Sequence, residues 1–567
     1  MGKYVVTSAL PYINGMKHLG NMIGSLLPAD VFTRYLRMKG EDVIYICGTD
    51  DHGTPAELGA IEEKMPIRDY VKKYYQKQQE VYERFGIKFD YFGQTSSINN
   101  HRITQHLFLQ LHKRGLIEER TTQQMFCVDD DRFLPDRFIR GTCPKCGYDK
   151  ARGDQCENCS TLLNPEELVE PYSSISGSKQ MEMRSSRHLY LRLTALEEQI
   201  GKWLSTKDNW PNTVLGIARK WLQEGLQERC ITRDLKWGVK VPLEGWENKV
   251  FYVWFDAPIG YIGITMDWAE SKGDPELWKT YWKDPSTKLV QFMGKDNVPF
   301  HAVTWPATLM GAEDGFILAD FIKGFEWLQY EGGKFSTSER RGVFSDQALE
   351  VFPADYWRFY LIYNAPERSD SNFNWQEFGK LINSCLANSL GNFAQRCLTM
   401  VNKRMGGELP AEFTCGKDDQ KIIDELHAVV DEFTKLMDGL KMAKAIRRLH
   451  SFWIACNQYI DTREPWREFK TDPAAAANTL ALCMHLIRAA AILALPVIPA
   501  AAQEIFTQLG LEENVEEMNI KDALDVKIML GRKINSDPHP IFARLDDDQI
   551  QACIDRFSGG ESDTGSA

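Results

Sequence analysis

Tyr4-Val-Val-Thr-Ser-Ala-Leu-Pro-Tyr-Ile-Asn-Gly-Met-Lys-His-Leu-Gly-Asn21 is the stretch on which the reading of the fold turns. Tyr4 to Ala9 is short and β-branched, which predicts a buried strand, and Pro11 and Gly15 mark the turn that ends it. From about His18 through Arg37 the apolar residues Leu19, Met22, Ile23, Leu26, Leu27, Val31 and Tyr35 recur at helical spacing. A strand running through a glycine turn into a helix presents backbone N–H groups at the helix start, where phosphate can sit. His18 adds a side-chain donor there, and Gly20 leaves room for a flat base against the helix. This is a nucleotide site at the carboxyl end of a first strand, the usual place in an open α/β sheet.

The same pattern continues. Asp42 to Cys47 reads as a second buried strand, followed by Gly-Thr-Asp-Asp-His-Gly-Thr-Pro55 and a helix over Ala56 to Lys64. Polar residues beyond a strand's carboxyl end are placed to meet a ligand, and Asp51 and Thr54 would also cap the helix. Residues 67 to 118 read as amphipathic helices. Lys249 to Pro258 reads as a strand entering a proline turn, with an aromatic cluster of Tyr252, Trp254, Phe255 and Tyr261. Leu289 to Gly294 is a further strand whose polar end carries Lys295, Asp296 and His301. Glu331-Gly-Gly-Lys-Phe-Ser-Thr-Ser338 is a loop of small polar residues around Lys334, suited to a triphosphate. Helical spacing dominates from about Phe378 to residue 555.

Cys143-Pro-Lys-Cys146 and Cys156-Glu-Asn-Cys159 place four thiolates at the spacing of a tetrahedral structural Zn²⁺ site. Four protein ligands leave no open position, so this zinc is expected to stabilise a loop and take no part in chemistry. The other nine of thirteen cysteines are scattered without framework spacing, which fits a reducing cytoplasm. The 567 residues suffice for about three domains. A net charge of −12 argues against indiscriminate nucleic-acid or membrane binding, while leaving room for a local basic face. No secretory or transit pattern opens the chain. The one membrane-like stretch, Ala474 to Ala502, is interrupted by Asn478, His485, Arg488, Pro496 and Pro499 and suits a buried bundle helix.

Taken together, His18-Leu-Gly-Asn21 and Lys334-Phe-Ser-Thr-Ser338 resemble the two ATP-binding motifs of class I aminoacyl-tRNA synthetases. Within that class the chain is similar to the methionyl-tRNA synthetases of the archaeal or eukaryote-like branch, over nearly all of residues 1 to 555. Besides the zinc knuckle, the resemblance is carried by Ala9 to Gly15, Asp50 to Pro55, Val253 to Tyr261 and Gly294 to His301. It implies a Rossmann-like, doubly wound parallel-sheet catalytic domain with a zinc-knuckle insertion, followed by an α-helical anticodon-binding bundle. The expected division is 1–115 and 236–325 for the two catalytic halves and 116–235 for the insertion, with its knuckle at 143–159. The loop and stem-contact region is then 326–377, the bundle 378–555 and a disordered tail 556–567.

The resemblance implies a methionine pocket of Leu10, Tyr12, Trp254, Ala257, Pro258, Tyr261 and His301, with Asp50 holding the α-ammonium. ATP would be held by His18, Gly20, Asn21, Asp296, Lys334, Ser336 and Thr337; catalysis would rest on His18, Asn21, Lys334 and Thr337. Asn392, Arg396 and Trp466 would read the anticodon, by the stacking and edge contacts typical of single-stranded RNA. The implied ligands are L-methionine, ATP with Mg²⁺, tRNA(Met) and one structural Zn²⁺. A cytoplasmic monomer is expected, with room for a separate tRNA-binding subunit. Two residues depart from the family pattern. Asn21 stands where a histidine is frequent, and Thr337 where a lysine usually stabilises pyrophosphate. Lys334, Lys295 and the Arg340-Arg341 pair are the candidates to replace that lysine. The competing readings are a synthetase for leucine, isoleucine, valine or cysteine, and a non-catalytic RNA-binding protein. The insertion is too short for the editing domain of the branched-chain enzymes, and the zinc is closed, unlike the open zinc of the cysteine enzyme.

Overall fold

A computed structural model describes residues 2–557 except 136, 137, 154, 155, 157, 160, 162, 164, 336–340 and 536. Its centre is a five-stranded, all-parallel sheet of β1 (Lys3–Ser8), β2 (Asp42–Thr49), β3 (Tyr91–Gln94), β4 (Thr287–Gly294) and β5 (Ala319–Phe325), in the order β5-β4-β1-β2-β3. Val5 pairs with Leu289 on one side and Ile44 on the other. Side chains alternate between two cores: Val6, Tyr45 and Phe292 enter one, and Val5, Ile44 and Leu289 the other. Helix Leu27–Met38 covers the first face; Ile98–Lys113 and Val253–Ser271 cover the second. The strand order reverses between β1 and β4, and there a crevice opens beyond the carboxyl ends, as the α/β rule requires.

Two expectations are corrected. Residues 67 to 118 are not helix throughout: β3 lies between helices Ile67–Arg84 and Ile98–Lys113. It is a four-residue strand containing a glycine, too short and weakly patterned to read. Both strands need their glycine: a Cβ at Gly48 would stand 2.4 Å from the Gly93 carbonyl oxygen, and one at Gly93 would stand 2.7 Å from Ile264 Cγ2. The stretch Lys249 to Pro258 is not a sheet strand. Only Val250–Phe251 is extended, paired antiparallel with Thr232–Arg233, and Val253–Ser271 is a helix with Pro258 inside it. The long segment between Ile117 and Leu191 holds an antiparallel pair, Ile117–Cys127 with Met181–Leu191, that carries the cysteine loop away from the sheet.

Beyond Trp375 the chain is mainly helical, with irregular stretches over 406–416 and 525–546, in a bundle that includes Asn392–Met405, Lys417–Asp438, Met442–Arg463 and Pro473–Ala494. Helix Pro473–Ala494 is long and apolar enough to cross a membrane, but 89% of its most apolar window is buried inside the fold. Arg358 ties bundle to sheet domain. Its fully buried guanidinium donates to Asp30 Oδ2 (2.6 Å) and to the carbonyls of Val497 (2.9 Å), Pro496 (2.8 Å) and Gly86 (3.1 Å).

Candidate active site

The crevice between β1 and β4 is a cavity of about 1090 Å³. Leu10, Tyr12, His18, Gly20, Asn21, Trp254, Asp296 and Lys334 all line it, although they come from four separate parts of the chain. Trp254, Ala257, Pro258 and Tyr261 fall at i, i+3, i+4 and i+7 of one helix, so they share a face. The helix thus presents these four together, as a proline turn could not. Trp254 stacks on Phe300 with centroids 3.7 Å apart and meets Tyr12 edge-on at 6.3 Å. Ala257, Pro258, Tyr261, His301 and Asp50 are buried behind the cavity wall.

His301 sits on a π-helical turn, Phe300–Thr304, with Nδ1 2.9 Å from the Asn297 carbonyl and Nε2 2.9 Å from the Tyr261 hydroxyl. Burial pushes its pKa down to about 4, so the ring is neutral; Nδ1–H donates to the carbonyl and Nε2 accepts from Tyr261. Asp50 lies at the end of β2, bridged to Tyr12. Its Oδ1 is buried without a hydrogen-bond partner among the described residues, an acceptor waiting for a donor. Burial, then the charges of Asp256 and Asp51, raise its pKa well above the ordinary carboxylate range, which an incoming cation would reverse. Asp256 is itself paired with His52, Oδ2 to Nδ1 at 2.7 Å.

On the phosphate side, His18 caps a short helical turn reciprocally with Asn21. The Asn21 N–H donates to His18 Nδ1 and the His18 N–H to Asn21 Oδ1, each at 3.3 Å. Burial and the charge of Lys17 lower the His18 pKa to about 4. The neutral ring therefore carries its proton on Nε2, free to donate into the cavity. The imidazole also stacks on Phe335 (4.7 Å), and a Cβ at Gly20 would press on it at 3.0 Å. Gly20 thus makes room for the histidine ring, and not only for a ligand. Asp296 lies in a 3₁₀ turn directly after β4.

Of the candidate replacement cations, Lys295 is held by Glu326 (2.6 Å) and Asp370 (3.1 Å), and Arg341 donates to the Tyr330 carbonyl (3.2 Å). Lys334, in the two-residue strand Gly333–Lys334, lies 5.4 Å over the Trp327 ring. Ser336, Thr337 and Arg340 lie outside the described residues, as do residues 558–567 of the expected tail.

The four cysteines converge. Their sulfurs all lie within 4.8 Å of one another, with Cys143–Cys159 at 3.8 Å and Cys146–Cys156 at 3.6 Å. A tetrahedron with Zn–S bonds of about 2.3 Å has edges of about 3.8 Å, so the cluster fits a closed zinc site. It packs into a separate small core with Met125, Phe138 and Leu168. In the bundle, Asn392 donates to Asn457 Oδ1 (3.2 Å), while Arg396 pairs with Asp461 (2.7 Å) and lies 5.2 Å over the Trp466 ring. The structure thus brings Asn392, Arg396 and Trp466 to one face.

Comparison with known proteins gives the same order of parts. A family model described as "tRNA synthetases class I (M)" matches residues 4–398, and one described as "Anticodon binding domain of methionyl tRNA ligase" matches 409–562. Methionine–tRNA ligase 1 of Acaryochloris marina is 48% identical over 98% of this chain and all of its own. The chain belongs to the class I methionyl-tRNA synthetases.

The methionine–tRNA ligase of Streptomyces avermitilis is 46% identical over 99% of this chain and all of its own. The Mycobacterium tuberculosis synthetase, solved with methionyl-adenylate, superposes with a TM-score of 0.78 at 26% identity, covering 96% of this chain and all of that one. These relatives are bacterial and lend the archaeal or eukaryote-like branch no support. Several residues of this synthetase's cavity escaped the sequence reading. Phe300, beside the cavity as the stacking partner of Trp254, is adjacent to His301 and was not singled out. Arg233 and Lys17 both line the cavity. Arg233 sits at the end of a two-residue strand with no periodicity to mark it, its guanidinium 3.7 Å over Tyr252. Lys17 stands next to His18 in the stretch that decides the fold, and its charge could have drawn notice.

Proposed function

We propose that this cavity activates L-methionine with ATP and transfers it to the 3′ end of tRNA(Met). A methionine carboxylate oxygen attacks the α-phosphorus, the bond to the β-phosphate breaks, and pyrophosphate leaves with the electron pair. A ribose hydroxyl of the terminal tRNA nucleotide then attacks the acyl carbon and AMP leaves. Both steps rest on positioning and charge stabilisation, without a covalent enzyme intermediate. The observation that carries the reading is Asp50: a carboxylate with an unpartnered oxygen, buried behind the cavity wall beside an aromatic helix face, with a neutral His18 lining the same cavity.

In this reading Asp50 holds the α-ammonium, and Leu10, Tyr12, Trp254, Ala257, Pro258, Tyr261 and His301 enclose the thioether. His18, Gly20, Asn21, Asp296, Lys334, Ser336 and Thr337 hold ATP, which brings Mg²⁺. Cys143, Cys146, Cys156 and Cys159 hold a structural Zn²⁺. Asn392, Arg396 and Trp466 read the anticodon. Catalytic halves at 1–115 and 236–325, an insertion at 116–235, a loop region at 326–377 and a bundle at 378–555 complete it, in a cytoplasmic monomer of the archaeal or eukaryote-like branch. The test is amino-acid-dependent ATP–pyrophosphate exchange. Exchange with methionine, and none with leucine, isoleucine, valine or cysteine, is the expected result. Absence of exchange with zinc-loaded, folded protein that still binds tRNA would leave the RNA-binding reading in its place.

A further inference from the structure

The loop motif carries Thr337 where its family usually has a second lysine, and two of the candidate replacements are engaged elsewhere. Lys295 is neutralised by two carboxylates and Arg341 is bound to a carbonyl. One other cation lines the cavity wall deep in the fold. Lys17 is only 5% exposed, sits beside His18, and its backbone is pinned by the Ser345 N–H donating to the Lys17 carbonyl (2.8 Å). Its ammonium donates to Asn14 Oδ1 at 3.0 Å and forms no ion pair among the described residues. A buried ammonium with one neutral partner is costly unless something else completes it. The charge that opposes the effect of its burial is Asp50, the same carboxylate whose Oδ1 is unpartnered.

We propose that Lys17 binds the carboxylate of the incoming amino acid, making with Asp50 a two-charge clamp for the zwitterion. The proposal rests on the methionine-activation reading above. An α-amino acid carries its opposite charges on neighbouring groups, and here Lys17 lines the cavity while Asp50, buried behind its wall, acts on Lys17 electrostatically. During activation one carboxylate oxygen uses a lone pair to form the bond to the α-phosphorus as the bond to the β-phosphate breaks. The other oxygen keeps the Lys17 hydrogen bond, which fixes the angle of attack. Lys17 thereby supplies a fixed cation at the amino-acid side of the reacting phosphorus, opposite the side on which a loop lysine would act.

The groups facing Lys17 are Asp50 from the end of β2, with Asp51 and Asp256 behind it, and His18 beside it in the chain. Burial lowers the Lys17 pKa to about 7 in the empty site, opposed by Asp50. The experiment compares L-methionine with L-methioninol, which keeps the amine and thioether and lacks the carboxylate. Binding of both is measured with the full zinc-loaded chain and with Lys17→Met and Lys17→Arg. Lys17→Met should weaken methionine about tenfold or more, the loss of a charge-assisted hydrogen bond, and leave methioninol within about twofold. Lys17→Arg should recover part of the loss. Equal weakening of both ligands would make Lys17 structural, and unchanged methionine binding would also overturn the proposal.

A measurement on the unaltered protein stands in if Lys17→Met does not fold. Between about pH 6 and about pH 8 the preference for methionine over methioninol should decline as the ammonium loses its proton; a flat ratio overturns the proposal. Absence of methionine-dependent exchange in the unaltered protein would instead sink the functional reading itself.

Discussion

The Tyr261 hydroxyl donates to His301 Nε2 across 2.9 Å, because Nδ1 of the same ring gives its proton to the Asn297 carbonyl. The pair is neutral and its polarity fixed: the histidine cannot donate from Nε2 without losing its bond to Asn297. Tyr261→Phe leaves Nε2 buried and unpaired, a cost of about 1–3 kcal/mol. We expect a lower melting temperature and a rise in the methionine KM of about tenfold, with kcat changed far less, since these rings do not line the cavity where phosphorus reacts. Discrimination against norleucine, which lacks the sulfur, should fall in pyrophosphate exchange. An unchanged methionine-to-norleucine ratio would separate this pair from side-chain recognition.

Five histidines, wholly or partly buried, set the acid limb of stability. Burial lowers His18, His101 and His301 to about 4 and His485 to about 3, and lowers His450 as well. Their folded pKa values lie below the ordinary 6.5, so between about pH 6.5 and about pH 4 the unfolded chain binds more protons. Stability from this source is complete above that window and is lost as pH falls through it. His52, paired with Asp256, and His188, beside Asp234, are raised, and their contribution runs the opposite way, lost as pH rises. The five outnumber the two, so the melting temperature should drop on going from neutral pH to pH about 5. His485→Leu, in the bundle and far from the cavity, should flatten that drop; an unaltered slope would assign the acid limb to carboxylates.

The four-cysteine cluster belongs to a small core of its own, separate from the two cores that flank the sheet. Chelation should therefore release about one zinc per chain, the stoichiometry of a four-thiolate site. Protease cleavage should then appear between residues 128 and 175 while the sheet domain stays resistant. Cys146→Ser should behave the same way. Loss of the whole fold on chelation would mean that the knuckle supports the sheet more widely than its packing indicates.

The sheet was legible because its first, second and fourth strands are buried on both faces and read as continuous apolar runs. β3 was not, since its existence depends on a glycine pair closing on a neighbouring strand, which no local pattern encodes. Val253–Ser271 misled for a different reason: an aromatic-rich start and a proline suggest a strand and turn, yet Pro258 stands inside the helix, at its sixth residue, and forfeits the hydrogen bond to the Trp254 carbonyl. The spacing of Trp254, Pro258 and Tyr261 already carried the helical period, and it was outweighed by residue type. The zinc site needed only spacing. Lys17 and Arg233 needed three dimensions, because a cavity-lining cation looks like any surface charge until its burial is known.

Arg396 can meet a ligand only by changing partners. In the free protein its guanidinium is engaged by Asp461 at 2.7 Å and lies over the face of Trp466, so an incoming base must share the indole and compete with the carboxylate. Trp466→Ala removes the stacking platform and should weaken tRNA(Met) by about 1–3 kcal/mol, roughly tenfold to a hundredfold. Methionine-dependent pyrophosphate exchange should be untouched, because the site lies in the bundle, away from the crevice. Asp461→Asn frees Arg396 without removing it, and the pair is half exposed, so the gain is modest in strength and larger in consequence. Binding of RNA in general should rise and become more salt-dependent, while preference for the cognate anticodon falls. Filter binding of tRNA(Met) and of a non-cognate tRNA across a salt series reads both effects. If Asp461→Asn weakens both equally, the ion pair positions Arg396 for recognition and does not restrain it.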